Sequence, residues 1–127
     1  MNELEKEWAK YKYWVMAKSH KSYNDIRQLF KDNQKVDDKE FYEIIHELEN
    51  QKESVKDEVN AMEHIWGYFK KRATQKEKSD FLFYKEQYLM NQIELKKIKN
   101  YLFYLSAKYQ EEYLLKSYYF AEQKSVE

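Results

Sequence analysis

Residues 54–73 read SVKDEVNAMEHIWGYFKKRA. Within them Val55, Val59, Met62, Trp66, Phe69 and Ala73 recur at steps of four, three, four, three and four. That spacing lines one side of an α-helix, so a buried stripe is expected along it. Ser54 is placed to cap the start. Working outward, the same period returns. Leu4, Trp8, Tyr11 and Val15 predict a first helix over residues 3–18, and Ser19 can cap a second carrying Tyr23, Ile26, Leu29 and Phe30. Asn33 and Gln34 should end that one. Asp37 to Glu40 has the spacing of a capping box and opens a third helix with Phe41, Ile44, Ile45 and Leu48 inward. Thr74 to Glu77 is another such box, predicting a fifth helix to about Met90. A sixth is expected over 92–109 and a short seventh over 111–120, although no residue near Asn91 forbids one continuous helix there. The expectation is an all-α fold, a compact bundle of six to seven helices, forming a single domain over 1–122 with a frayed tail at 123–127.

Composition agrees with helices. The 127 residues include no Pro and one Gly, almost none of the punctuation that hairpins and long loops need. Thirteen Tyr, seven Phe and three Trp supply core area where hydrophobic residues reach only 43%. There is no Cys, which excludes disulfides, thiolate metal sites and a Cys nucleophile from the chain itself. The first residues carry Glu3, Glu5 and Glu7 rather than the basic start and apolar run of a secretory leader. No apolar run approaches the ~20 residues that cross a bilayer. A soluble, cytoplasmic protein is the expectation.

Formal net charge is zero, but its distribution is uneven. Residues 10–35 hold seven Lys or Arg against Asp25 and Asp32, a local net of +5. Residues 64–78 hold five against Glu77, a net of +4, whereas residues 37–63 hold ten acids against three Lys, a net of −7. An anionic partner feels the field within a Debye length of ~8–10 Å, not the sum over the molecule.

Opposite the apolar stripe, Asn60, His64, Gly67 and Lys71 recur at four, three and four residues. A Gly inside a helix costs up to ~1 kcal/mol relative to Ala, so Gly67 needs a reason. Close packing of a neighbouring helix outweighs approach of a ligand as that reason. Lys70 and Lys71 suit a helix C-terminus, where cations complement the macrodipole, and this explains them without a partner. Joined to Lys12, Lys18, His20 and Lys21, with Tyr11, Tyr13 and Tyr23 interleaved, they also offer what looped or single-stranded RNA requires: phosphate neutralisation and aromatic planes. No Gly-rich phosphate loop, nucleophile elbow or His-x-x-x-His pair is present. No catalytic residue, metal ligand or cofactor is nominated.

Two blocks carry a family resemblance. Trp8 to Ser19, reading WAKYKYWVMAKS, resembles the opening motif of the YbgA-like domains of unknown function. Val59 to Lys71, reading VNAMEHIWGYFKK, is similar to the family's central Asn-x-x-x-His-x-x-Gly-Tyr-Phe-Lys-Lys signature. Glu77-Lys78 and the ending around Tyr113, Leu114 and Tyr118 also fit. Such domains occur alone or fused to a cysteine-rich domain similar to thiouracil desulfidases. The resemblance therefore implies a helical RNA holder that assists desulfuration of thiolated tRNA. Lacking Cys, this chain would need a partner enzyme in trans. Between Tyr88 and Tyr104 it departs from relatives that often carry Pro and Gly there.

The expected function is thus a non-catalytic RNA-binding domain, with tRNA as the RNA. Its expected contacts are Lys12, Lys18, His20 and Lys21 together with Asn60, His64, Lys70 and Lys71, provided the first and fourth helices lie side by side. The alternative is a protein-interaction module docking a partner enzyme through the acidic face of residues 37–63. A third reading is an enzyme using His64.

Overall fold

A computed structural model describes residues 2–32 and 35–124 of the chain. Among the described residues 77% are helical and none lies in a strand, as expected of an all-α fold. The α-helices are α1 Glu3–Lys18, α2 His20–Asp32, α3 Asp38–Glu49, α4 Val55–Trp66, α5 Gln75–Leu89, α6 Leu95–Lys108, α7 Glu112–Leu115 and α8 Ala121–Lys124. A 3₁₀ turn at Tyr118–Phe120 leads into α8. The chain divides into two compact units, residues 1–61 and 62–127, with the division falling inside α4.

In the first unit α1 packs on α2 and α3. One residue joins α1 to α2. The Ser19 N–H donates to the Val15 carbonyl at 2.8 Å, closing α1, while its Oγ accepts from the Ser22 N–H at 3.0 Å, capping α2. Trp8 lies 5.9 Å from Tyr23, 6.1 Å from Phe30 and 6.3 Å from Phe41, a cluster of rings that ties the three helices together. Asp37 caps α3 through the Lys39 N–H at 3.2 Å, one residue earlier than the capping-box bond expected at Glu40. The end of α2 assigned to Asn33 and Gln34 lies outside the described residues.

In the second unit α6 is central, packed by α5, α7 and α8. Ile98, Leu102, Leu105, Leu114 and Phe120 are fully buried around it. Thr74 and Glu77 form the expected capping box, each side chain accepting from the other residue's backbone N–H. Glu77 does more. Its carboxylate also accepts from the Lys108 ammonium and the Tyr109 hydroxyl, clamping the start of α5 to the end of α6. Gln123 and Lys124, expected in the frayed tail, lie in α8, and Gln123 is buried. Residues 125–127 of that tail are outside the described residues.

Two boundaries differ from the sequence reading. The fourth helix stops at Trp66, and residues 67–72 continue as turns closed by Tyr68 N–H to Ile65, Phe69 N–H to Trp66 and Arg72 N–H to Phe69. Phe69 is nonetheless fully buried, because a run of such turns keeps residues three apart on one side. Val55, at the other end of the stripe, is 44% exposed. The sixth helix starts at Leu95, not Gln92, since Asn91 adopts φ 57° and closes α5.

Candidate nucleic-acid interface

In the first unit the expected residues are held in different ways. Lys12 is half-buried on α1. Lys18 lays its ammonium 4.8 Å from the centre of the Trp14 ring, a cation–π contact, and its carbonyl accepts from the Gln51 amide at 2.9 Å. Lys21 is exposed and pairs with Asp25 one turn on, at 2.9 Å, so part of its charge is answered locally. His20 opens α2 and Asn60 lies on α4, and their side chains meet, Nδ2 to Nδ1, at 3.1 Å. The contact holds the amide and the ring against each other, with donor and acceptor roles set by the ring's tautomer. Both belong to the expected contacts, and this bond brings one residue of the α1–α2 group against one of the fourth helix.

In the second unit the line expected along the fourth helix is broken. His64 is exposed on α4, whereas Lys70 and Lys71 lie on the turns beyond Trp66. A Cβ built at Gly67 would stand 3.1 Å from the His64 carbonyl oxygen, and the next nearest atoms are also backbone of the preceding turn. The Gly is therefore explained by the tightened turn itself, not by the helix neighbour expected there.

Lys70 and Lys71 instead reach a groove of about 600 Å³. Trp66, Phe81 and Leu82 give it an apolar floor and edge, and Lys78 and Lys85 of α5 complete its basic wall. Trp66 stacks on Phe81 with centroids 4.6 Å apart and planes 9° from parallel. Glu63 is the one acid lining the groove, and Lys85 already holds it at 2.5 Å. Lys70, Lys71 and Lys78 make no ion pair among the described residues. Three unanswered cations thus converge on one concave, partly apolar surface.

Lys78 and Lys85 were not among the expected residues. Their signal was present: they lie seven apart on α5, bracketing Phe81 and Leu82, so two turns of one helix carry Lys, apolar, apolar, Lys along one side. Reading only clusters adjacent in sequence passes over them. Nearby, Arg72 is committed elsewhere, paired with Glu111 at 2.6 Å and lying over the Tyr109 ring.

No group of three or more His, Cys, Asp or Glu that could hold a metal is present among the described residues. No helix among them is long and apolar enough to cross a membrane. The chain matches no curated protein and no solved structure. Residues 12–123 match the family described as a protein of unknown function, DUF1722, a span that starts within α1 and includes α2 and the turn around Gly67. The chain belongs to the DUF1722 family, that of the YbgA-like helical domains.

Proposed function

We propose that this chain is a non-catalytic RNA-binding domain, with tRNA as the first RNA to test. The observation that carries the reading is the groove of the second unit, where Lys70, Lys71 and Lys78 converge without acidic partners. Cations brought together unanswered repel one another, and a phosphate backbone relieves that repulsion while releasing its own counterions. The apolar floor at Trp66 and Leu82 suits the sugar and base edges that accompany those phosphates. His20, Asn60, Lys12, Lys18, Lys21 and His64 remain candidate contacts, the first two already oriented by their mutual hydrogen bond. A sulfur step that depends on Cys would lie outside these 127 residues, which contain none.

Anisotropy titration with tRNA at several salt concentrations tests the reading. Wild type should bind saturably at low salt. Replacing Lys70, Lys71 or Lys78 by Gln should each weaken binding and lower the slope of log affinity against log salt by about 0.7–0.9, with little change in melting temperature. Asn60→Ala should weaken binding with the slope nearly unchanged, since a neutral side chain releases no counterion. Absence of saturable binding by wild type sinks the RNA reading.

Docking of a partner enzyme is the second reading, and one observation favours it on a different face from the acidic one. Leu82 and Leu89 of α5 and Met90 at its C-cap are each more than half exposed, and Leu82 and Leu89, seven residues apart, share one side of that helix.

A further inference from the structure

Helices α5 and α6 carry rings on their outward sides as well as their inner ones. Phe83 on α5 and Tyr104 on α6 are both 57% exposed. Between them stand Tyr84 and Tyr101, half-buried. Centroid separations are 5.9 Å from Phe83 to Tyr84, 5.1 Å from Tyr84 to Tyr101 and 6.3 Å from Tyr101 to Tyr104. Four rings therefore form an unbroken file across two helices, each step within ordinary aromatic contact. Core packing does not account for the file's ends. The interior between these helices is filled by Phe81, Tyr88, Ile98 and Leu102, all buried.

Beside the two middle rings lies a concavity of about 600 Å³, separate from the lysine groove. Tyr84 and Tyr101 line it together with Ile93, Lys96, Lys97 and Asn100, and with one acid, Glu94. Both lysines are exposed and make no ion pair among the described residues. The Asn100 amide, also exposed, offers donors and an acceptor at the same place. Aromatic faces, two cations outside any ion pair against a single acid, and an amide together match one ligand chemistry: bases that stack, phosphates that need neutralising and base edges that hydrogen-bond. A duplex cannot present its base faces to a ring.

We infer that this file is a stacking platform for unpaired nucleotides, so that the RNA is single-stranded or looped where it meets α5 and α6. The inference rests on the RNA reading above and adds the class of RNA. Successive planes are tilted by 60°, 55° and 28°, so the rings cannot support one continuous stack of bases. Bases are taken singly and splayed. Because every base has a π-face, preference among the four should be slight.

The full chain is titrated with a labelled single-stranded oligouridylate and with a duplex RNA of equal length. Single-stranded RNA should bind more tightly. Phe83→Ala and Tyr104→Ala should each weaken it by about fivefold or more without altering the salt slope. Tyr104→Phe, which keeps the ring, should bind as wild type does, while Tyr104→Leu, which keeps apolar area alone, should bind as Tyr104→Ala does. Replacing Lys96 and Lys97 by Gln should reduce the slope by about 0.7 for each phosphate that is no longer neutralised. Ultraviolet crosslinks to the oligouridylate should map to peptides holding Phe83, Tyr101 or Tyr104. Wild-type binding that the ring variants leave unchanged, or equal affinity of Tyr104→Leu and wild type, overturns the platform and leaves the RNA reading standing. No RNA binding by wild type at low salt overturns both. A self-association of wild type that Phe83→Ala abolishes, with RNA affinity unaffected, assigns the face to a second copy and also overturns the platform.

Discussion

Gln110 and Asn91 hold φ of 55° and 57°, in the left-handed region where a Cβ is ordinarily disfavoured. Each follows the last turn of a helix and closes it in the same way. At α6 the Glu111 N–H reaches the Ser106 carbonyl at 2.9 Å and the Gln110 N–H reaches Ala107 at 3.1 Å. At α5 the Gln92 N–H reaches Gln87 at 2.8 Å and the Asn91 N–H reaches Tyr88 at 3.0 Å. These paired bonds are the Schellman closure, a place usually given to Gly. The chain spends its one Gly elsewhere, at Gly67, where φ is not positive. Gln110→Gly should therefore stabilise the protein by about 0.5–1 kcal/mol, read as a higher denaturant midpoint with an unchanged m-value. Asn91→Gly should gain less, because Asn tolerates this conformation better than Gln. Both closures use residues other than Gly, so the stops at Asn91 and Gln110 leave little trace in the sequence. Gly67, which does stand out in the sequence, marks a local turn.

Helix starts were legible because a side-chain oxygen one residue before the apolar period has a definite task. Ser19, Asp37, Ser54 and Thr74 were all readable as caps, and each accepts from a backbone N–H of the following turn. Helix α4 shows the opposite case. Its period runs on through Phe69 although the helix ends at Trp66, and turn geometry conserves the side while changing the element. The Thr74–Glu77 cap was visible, but not its reach across to α6, which depends on the fold. Burial pushes the Glu77 carboxyl up, yet hydrogen bonds from Lys108, Tyr109 and the Thr74 backbone, with the Lys108 charge, outweigh it and bring its pKa down to about 2. The folded value lies below the ordinary 4.5, so the clamp's contribution is complete above that pH and is lost as pH falls toward 2. Denaturant midpoints measured between neutral pH and pH 2.5 should decline through this window. Glu77→Gln should cost about 2 kcal/mol at neutral pH and flatten the decline. A mutant profile parallel to wild type would show that other carboxyls govern acid unfolding.

Over the molecule as a whole, a formal net charge of zero means that steering of an anion depends on which cations are already answered nearby. Local sequence charge distinguished the basic and acidic stretches, but it could not say which pairs form. Lys21 is answered by Asp25, Lys76 by Asp80 and Arg72 by Glu111, whereas Lys70, Lys71 and Lys78 are left to the groove. The last pattern, assembled from α5 and the turns after α4, is the one on which the proposed RNA reading rests. Glu63 gives this electrostatic account a direct test. It is the single acid of the groove and engages Lys85, with side chains 41% and 22% exposed respectively. A pair so placed contributes about 0–1 kcal/mol to stability, so Glu63→Gln should leave the melting temperature nearly unchanged. The same change removes a negative charge from the path of a phosphate and releases the Lys85 ammonium. RNA affinity at low salt should therefore rise, and the slope of log affinity against log salt should steepen by up to about 0.7–0.9, the effect of neutralising one more phosphate. The double variant Glu63→Gln with Lys85→Gln should return the slope to the wild-type value, because the released cation is gone. Loss of affinity in Glu63→Gln would mean that Lys85 must be held by Glu63 to shape the groove, and that the RNA-facing cations there are Lys70, Lys71 and Lys78 alone.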